Sequence, residues 1–183
     1  MYNKRFFTVK LWEIQKLGGV CVKYPTSCIL KWFLTKYLRL PERALVLDLT
    51  YGEGRFWYAT NYLVYGVDIK RLAWVKEPFV FIKDSLYNIW GYPDVVSQPF
   101  DLVVVDPPFT KHKHRRTHYR VSGSLKEAYN MVLFAIDLAQ TLGKPLLVHF
   151  REPINWADYG FFLESYSRYA SGLLCGWFGL FLW

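Results

Sequence analysis

Cysteine is scarce in this sequence. Cys21, Cys28 and Cys175 are three of 183 residues, an odd number at uneven spacing. Such a set suggests neither a disulfide framework nor a zinc finger, so the three read as reduced packing residues of an intracellular protein. No stretch rich in glycine, serine or proline divides the chain, and no repeat or low-complexity segment occurs. The reading is a single domain over 1–183, with an N-terminal segment and helix over 1–43 and the main sheet over 44–183. The N-terminus lacks a cationic stretch leading into an apolar segment and a small-residue cleavage site, which argues against secretion and for the cytoplasm. The most apolar stretch, 172–183, falls far short of the roughly 20 residues that span a bilayer. It reads as a buried final strand, and no membrane partner is expected.

Acidic side chains are also in deficit: 15 Asp and Glu face 23 Lys and Arg, a formal charge of +8. With 52% hydrophobic residues the chain must fold, and a folded domain this basic favours a polyanion, most often nucleic acid. Phe, Tyr and Trp reach 20%, more than a core of this size obviously needs. Most are expected in the core, with some left as stacking surfaces.

Short aliphatic runs alternate with helical segments, the pattern of βαβ units around a parallel sheet. Strands are expected over 44–49, 63–67, 79–82, 102–105 and 145–150. The Leu-Val-Val-Val run ending at Val105 looks buried on both faces. Helices are expected over 27–38, 55–61 and 125–142, and after Lys70 and Ser85. The 125–142 segment has the clearest period, with Leu125, Tyr129, Val132, Ala135, Ile136 and Ala139 on one stripe, and Gly143 and Pro145 end it. The first 25 residues and 152–170 are the least legible.

The first of these strands runs into Asp48-Leu-Thr50-Tyr51-Gly52-Glu53-Gly54, an acid at a strand end followed by a Gly-x-Gly turn. In open α/β sheets ligands sit at the carboxyl ends of strands, where glycine lets the backbone approach closely. A third glycine would mark a dinucleotide site, but Trp57 stands there. A ligand with a sulfonium charge and an amino-acid tail suits Asp48 and Glu53 better than one with phosphates. Asp68 closes the next strand and can accept from both hydroxyls of a ribose. Asp84, with the amides of Ser85 and Leu86, can read an adenine edge, although a helix cap is the plain alternative.

After the fourth strand comes Asp106-Pro107-Pro108-Phe109, the most specific tetrad in the chain. Two prolines fix φ and remove N–H donors, leaving a rigid array of carbonyl and carboxylate acceptors. An exocyclic amine on a nucleobase is a poor nucleophile because its lone pair is delocalised. Hydrogen bonds from both its protons to Asp106 and the Pro107 carbonyl would draw it towards sp³ geometry and stabilise the positive charge it develops. Phe109 would stack on the base, worth roughly 1–3 kcal/mol.

In these two motifs the sequence resembles the class I S-adenosylmethionine-dependent methyltransferases of the amino-methylating type, over roughly 24–150. The resemblance implies an α/β, Rossmann-like fold: a seven-stranded, mostly parallel sheet in the order 3-2-1-4-5-7-6, helices on both faces and two final antiparallel strands over about 161–168 and 173–183. It implies S-adenosylmethionine over the first three strands, held by Asp48, Thr50, Tyr51, Gly52, Gly54, Asp68, Asp84 and Ser85. Tyr24 and Pro25, opening a helix before the first strand, would line its pocket. The target base would sit beside Asp106, Pro107, Pro108 and Phe109. The Thr-Tyr pair before Gly52 departs from the small residues found in many members.

Behind the tetrad, Lys111, Lys113, Arg115, Arg116 and Arg120 place five cations in ten residues without an acid. Beside a transfer site this run can grip phosphates on either side of an unpaired or extruded nucleotide. His112, His114 and His118 have no accompanying carboxylate or cysteine, so no metal is expected. His149 either lines the same cleft or caps the sheet. The expected function is methyl transfer to a nucleobase amine by a cytoplasmic enzyme that is a monomer or small homo-oligomer. RNA (guanine N2 or adenine N6) is favoured over DNA, because no separate target-recognition domain is apparent and a partner subunit can supply specificity. A compact DNA adenine-N6 or cytosine-N4 methylase and a non-catalytic nucleic-acid-binding methylase fold are the alternatives.

Overall fold

The computed structural model describes residues 5–9, 25–108, 125–150, 163–171 and 174–183. Eight strands form one sheet: β1 (Arg5–Val9), β2 (Leu45–Asp48), β3 (Leu63–Val67), β4 (Val80–Ile82), β5 (Leu102–Val105), β6 (Leu146–Phe150), β7 (Leu163–Ser171) and β8 (Leu174–Phe181). Their order across the sheet is β1-β7-β8-β6-β5-β2-β3-β4. The inner strands β2 to β6 pair in parallel, and β8 runs antiparallel between β6 and β7. The expected seven strands become eight because β1 joins the edge, setting Arg5 beside Ser165 in parallel register. A strand whose partner lies at the other end of the chain leaves no local period from which to read it.

Burial explains why the central strands are so legible. Along β5, Leu102 and Val104 face one core and Val103 and Val105 the other, and all four are fully buried. The first core gathers Val46, Val64 and Leu147 under α1 (Pro25–Phe33), which contributes Ile29, Leu30 and Phe33. Pro25 starts α1, where its preset φ and missing N–H cost nothing. The second core gathers Leu47, Val67, Val148 and Phe150 under a long helix, Leu125–Leu142. That helix buries Ala128, Val132, Ala135, Ile136 and Ala139 at helical spacing, while Leu125, expected on the stripe, is exposed. Gly143, at φ +62°, ends it, and the following amide closes back onto the Ala139 carbonyl.

Several expected helices are absent or shorter. The helix expected over 55–61 is a single 3₁₀ turn, Arg55–Trp57. Phe56 and Trp57 are both buried there, and the Thr60 hydroxyl donates to the Trp57 carbonyl and closes the turn. No helix follows Lys70. After Ser85 comes a 3₁₀ turn, Leu86–Gly91, and then a four-residue helix, Pro93–Val96, here called α2, so that the long helix is α3. Cys28, buried in α1, is disulfide-bonded, which corrects the reading of all three cysteines as reduced. An odd count leaves one thiol over but does not prevent a pair, so the cysteines no longer argue for a reducing compartment. Among the described residues no helix is long and apolar enough to cross a membrane.

Candidate active site

Because β2, β3, β4 and β5 are parallel, the residues at their carboxyl ends share one edge of the sheet. Asp48, Asp68, Asp84 and Asp106 all lie there. Asp48 ends β2 with only 1% of its surface exposed. Its Oδ2 accepts from Trp57 Nε1 at 2.6 Å and its Oδ1 from the Thr50 amide at 2.9 Å. Burial drives its pKa up to about 7, and the charges of Asp106 and Asp68 push the same way, against the two hydrogen bonds that favour the carboxylate. Trp57 therefore does more than fill the place of the third glycine, since it holds the buried acid at the base of the turn. A bulky indole at that position, one turn from a strand-end acid, was the signal for this pairing.

The glycine turn is built by its own torsions and by Asp68. Gly52 and Gly54 sit at φ +59° and +72°, in the left-handed region that favours glycine. Asp68 Oδ2 accepts from the Gly52 amide at 3.0 Å, and Oδ1 accepts from the Lys70 amide at 2.9 Å. Each oxygen keeps a further lone pair for a ligand hydroxyl. Tyr51, expected at the cofactor, is instead turned into the protein: it is buried, and its hydroxyl donates to the Lys76 carbonyl at 2.7 Å. Burial moves its phenol pKa upward. Its ring lies where Gly66 of β3 carries no side chain, and a Cβ on Gly66 would overlap it. Glu53, expected to face the ligand's charge, is paired with Arg55 at 2.5 Å.

Asp84 accepts from the Ser85 amide, Asn88 Nδ2 and the Tyr92 hydroxyl at 2.7, 2.8 and 2.8 Å. These bonds, led by that of Asn88, hold its carboxyl below the usual range. They make Asp84 the organiser of the 86–91 turn, and the Ser85 amide is spent on it.

The Asp106 corner lies against the glycine turn. Register sets Asp48 opposite Val104, so Thr50 and Asp106 also meet, and the Asp106 amide donates to Thr50 Oγ1 at 2.6 Å. Register likewise sets Val105 opposite Val148, and His149 follows: its Nδ1 lies 2.8 Å from Asp106 Oδ1. Since a carboxylate can only accept, the ring nitrogen carries the proton in this bond. His149 is 7% exposed, with the Phe178 and Phe56 rings 4.8 and 5.5 Å away by centroid. It is therefore packed at the Asp106 corner, at the end of β6. Pro107 is buried and Pro108 partly so. Tyr24, Phe109, Lys111, Lys113, Arg115, Arg116 and Arg120, and the histidines at 112, 114 and 118, lie outside the described residues, while Pro25 is seen only as the first residue of α1.

No protein-family model matches the chain, and no curated protein matches it in sequence. Solved structures do match in fold. The N-terminal domain of human METTL16, in complex with SAH, is 9% identical, with a TM-score of 0.58 over 94% of this chain and 82% of that one. An rRNA methylase from Streptococcus thermophilus is 16% identical, with a TM-score of 0.52 over 84% and 94%. A 1,6-didemethyltoxoflavin-N1-methyltransferase from Burkholderia thailandensis, with bound 1,6-didemethyltoxoflavin and S-adenosylhomocysteine, is 13% identical, with a TM-score of 0.52 over 93% and 84%. The chain thus has the Rossmann-like fold of these methyltransferases: a mixed α/β layer with a mostly parallel sheet. One of the three acts on RNA by its name and another on a small heterocycle, so the fold leaves the substrate to the site.

Proposed function

We propose that this protein transfers a methyl group from S-adenosylmethionine to an exocyclic amino group of a nucleobase, with RNA as the favoured substrate. The observation that carries this reading is the bond from the Asp106 amide to Thr50 Oγ1, which sets a donor-poor acceptor corner directly against a glycine turn. Turned away from that turn, the same corner would have no methyl donor within reach.

The residues present fit the cofactor. Gly52 and Gly54 hold the turn's backbone at positive φ, Asp68 keeps lone pairs for a ribose, and the carboxylates of Asp68 and Asp106 beside the turn suit a cation. Pro25 at the head of α1, Tyr24 before it, and Asp84 with Ser85 would border its ends, Asp84 mainly by holding the 86–91 turn. When bound, S-adenosylmethionine supplies an electrophilic methyl whose bond to sulfur breaks as the amine's lone pair attacks, the pair passing to sulfur. The chain's part is positioning and electrostatics. Asp106 and the Pro107 carbonyl accept hydrogen bonds from the amine's two N–H groups, the methylated nitrogen then releases one proton to solvent, and Pro108 keeps the corner rigid. Phe109 stacks on the base, and Lys111, Lys113, Arg115, Arg116 and Arg120 hold the phosphates. The excess of basic residues and the ribosomal-RNA methylase among the structural neighbours support an RNA substrate.

The test is incubation of the protein with labelled methyl donor against total RNA and genomic DNA, followed by nucleoside analysis. Label is expected in an N-methylated nucleoside from RNA. Label in DNA alone moves the assignment to a DNA amine methylase. Binding of nucleic acid with neither transfer nor affinity for the donor leaves a binding module. Asp106→Ala is expected to abolish transfer while the donor still binds in calorimetry, and an active variant would remove Asp106 from the chemistry.

A further inference from the structure

Asp106 is held from two sides. Its amide is fixed by Thr50 and one carboxylate oxygen, Oδ1, by His149. Oδ2 has no partner among the described residues. A carboxylate on a free rotor presents either oxygen over a range of angles, whereas one pinned at Oδ1 presents Oδ2 in one direction. We propose that His149 is a positioning residue for the transfer: its Nδ1–H fixes Asp106 so that Oδ2 meets the substrate amine. This rests on the methyl-transfer reading.

Placement favours this over mere packing. An imidazole buried between Phe56 and Phe178 must satisfy its polar atoms within the protein, and adjacent register at the ends of β5 and β6 gives Nδ1 a carboxylate. The pair also continues a chain of contacts. Trp57 donates to Asp48, Thr50 lies 2.9 Å from Asp48 by its amide and 3.4 Å by its hydroxyl, Asp106 donates to Thr50, and His149 reaches Asp106. The donor side and the acceptor side of the cleft are thereby held in one frame.

Among the described residues, Asp48 from β2 carries a charge that couples to Asp106, and Asp68 after β3 couples to Asp48. From β8 and the 3₁₀ turn the neighbours are Phe178 and Phe56. The Nδ1–H of His149 donates to Oδ1 of Asp106 and leaves Oδ2 to accept from the amine.

The test compares the wild type with His149→Asn, whose amide keeps a donor but does not titrate, and His149→Phe, which loses the donor and keeps the bulk. The full chain is assayed with labelled methyl donor and total RNA or genomic DNA. His149→Phe is expected to lower kcat about a hundredfold, the usual cost of a misplaced group, with KM for the donor unchanged. His149→Asn is expected to restore kcat to within a few-fold. Nitrogen NMR of the ring is expected to show Nδ1 protonated in the wild type, with that signal displaced by Asp106→Asn. Wild-type kcat in His149→Phe, or a His149→Asn as slow as His149→Phe, overturns the inference. If His149→Phe does not fold, the kcat of His149→Asn and the NMR signal decide it. Absence of transfer by the wild type to either acceptor overturns the methyl-transfer reading itself, and an Nδ1 signal that ignores Asp106→Asn removes the pair as well.

Discussion

Asp48 concentrates the electrostatic cost of the site in one residue. Burial and two neighbouring acids raise its pKa to about 7, while Trp57 and Thr50 supply hydrogen bonds that favour its ionised form. The linkage sign follows from the upward shift. The native state keeps a proton that the unfolded chain releases near pH 4, so Asp48 contributes stability at acidic pH that is lost as pH rises through about 7. Asp48→Asn keeps an acceptor for one of the two donors and has no proton to lose. Its unfolding free energy is therefore expected to lie below that of the wild type at pH 4.5, with the gap closing by pH 7.5 in denaturant titrations. A gap independent of pH would mean that burial does not hold the proton. The acid itself could be read from the sequence as a strand-end carboxylate, but its charge state could not. That depends on Trp57 and on carboxylates of other strands closing over it.

At the scale of elements, the glycine turn depends on β3 as much as on its own residues. Tyr51 projects from the turn beneath the sheet's edge, and Gly66, opposite Asp48 in register, leaves the volume its ring occupies. Gly66→Ala is expected to destabilise the fold by about 1–3 kcal/mol, the usual range for overpacking, read as a lowered denaturation midpoint. An unchanged midpoint would show that Tyr51 can withdraw and that its place under the turn is not essential. Sequence reasoning put Tyr51 on the ligand because it followed the motif's spacing. Packing turned it inward, because an adjacent strand offered a hole that fitted the ring and the Lys76 carbonyl offered an acceptor. The Asp106–His149 contact was open to the same kind of reasoning, as two residues at the ends of adjacent parallel strands. Finding it required the register, which no motif states.

For the whole molecule, the excess of positive charge is the property most directly tied to a partner. Five of the cations lie in 111–120, immediately after the acceptor corner in the chain. If all five neutralise phosphates of a single strand, log K is expected to fall against log salt with a slope of about −3.5, at roughly 0.7 per phosphate. The slope can be measured by titrating single-stranded RNA at increasing salt. A constant affinity between low and physiological salt would take this segment away from the nucleic acid.

By itself the sequence determined the α/β alternation, the inner strands and the two motifs at their ends. These follow from local facts: apolar runs buried on both faces, helical period, and glycine and proline restricting the backbone. Tertiary structure alone decided the eighth strand, the shortening of the helix after the glycine turn, the inward Tyr51, and the ties from Asp106 to Thr50 and His149. Each depends on which distant segment arrives beside a residue, and a buried polar group takes its partner, its charge and its direction from that neighbour.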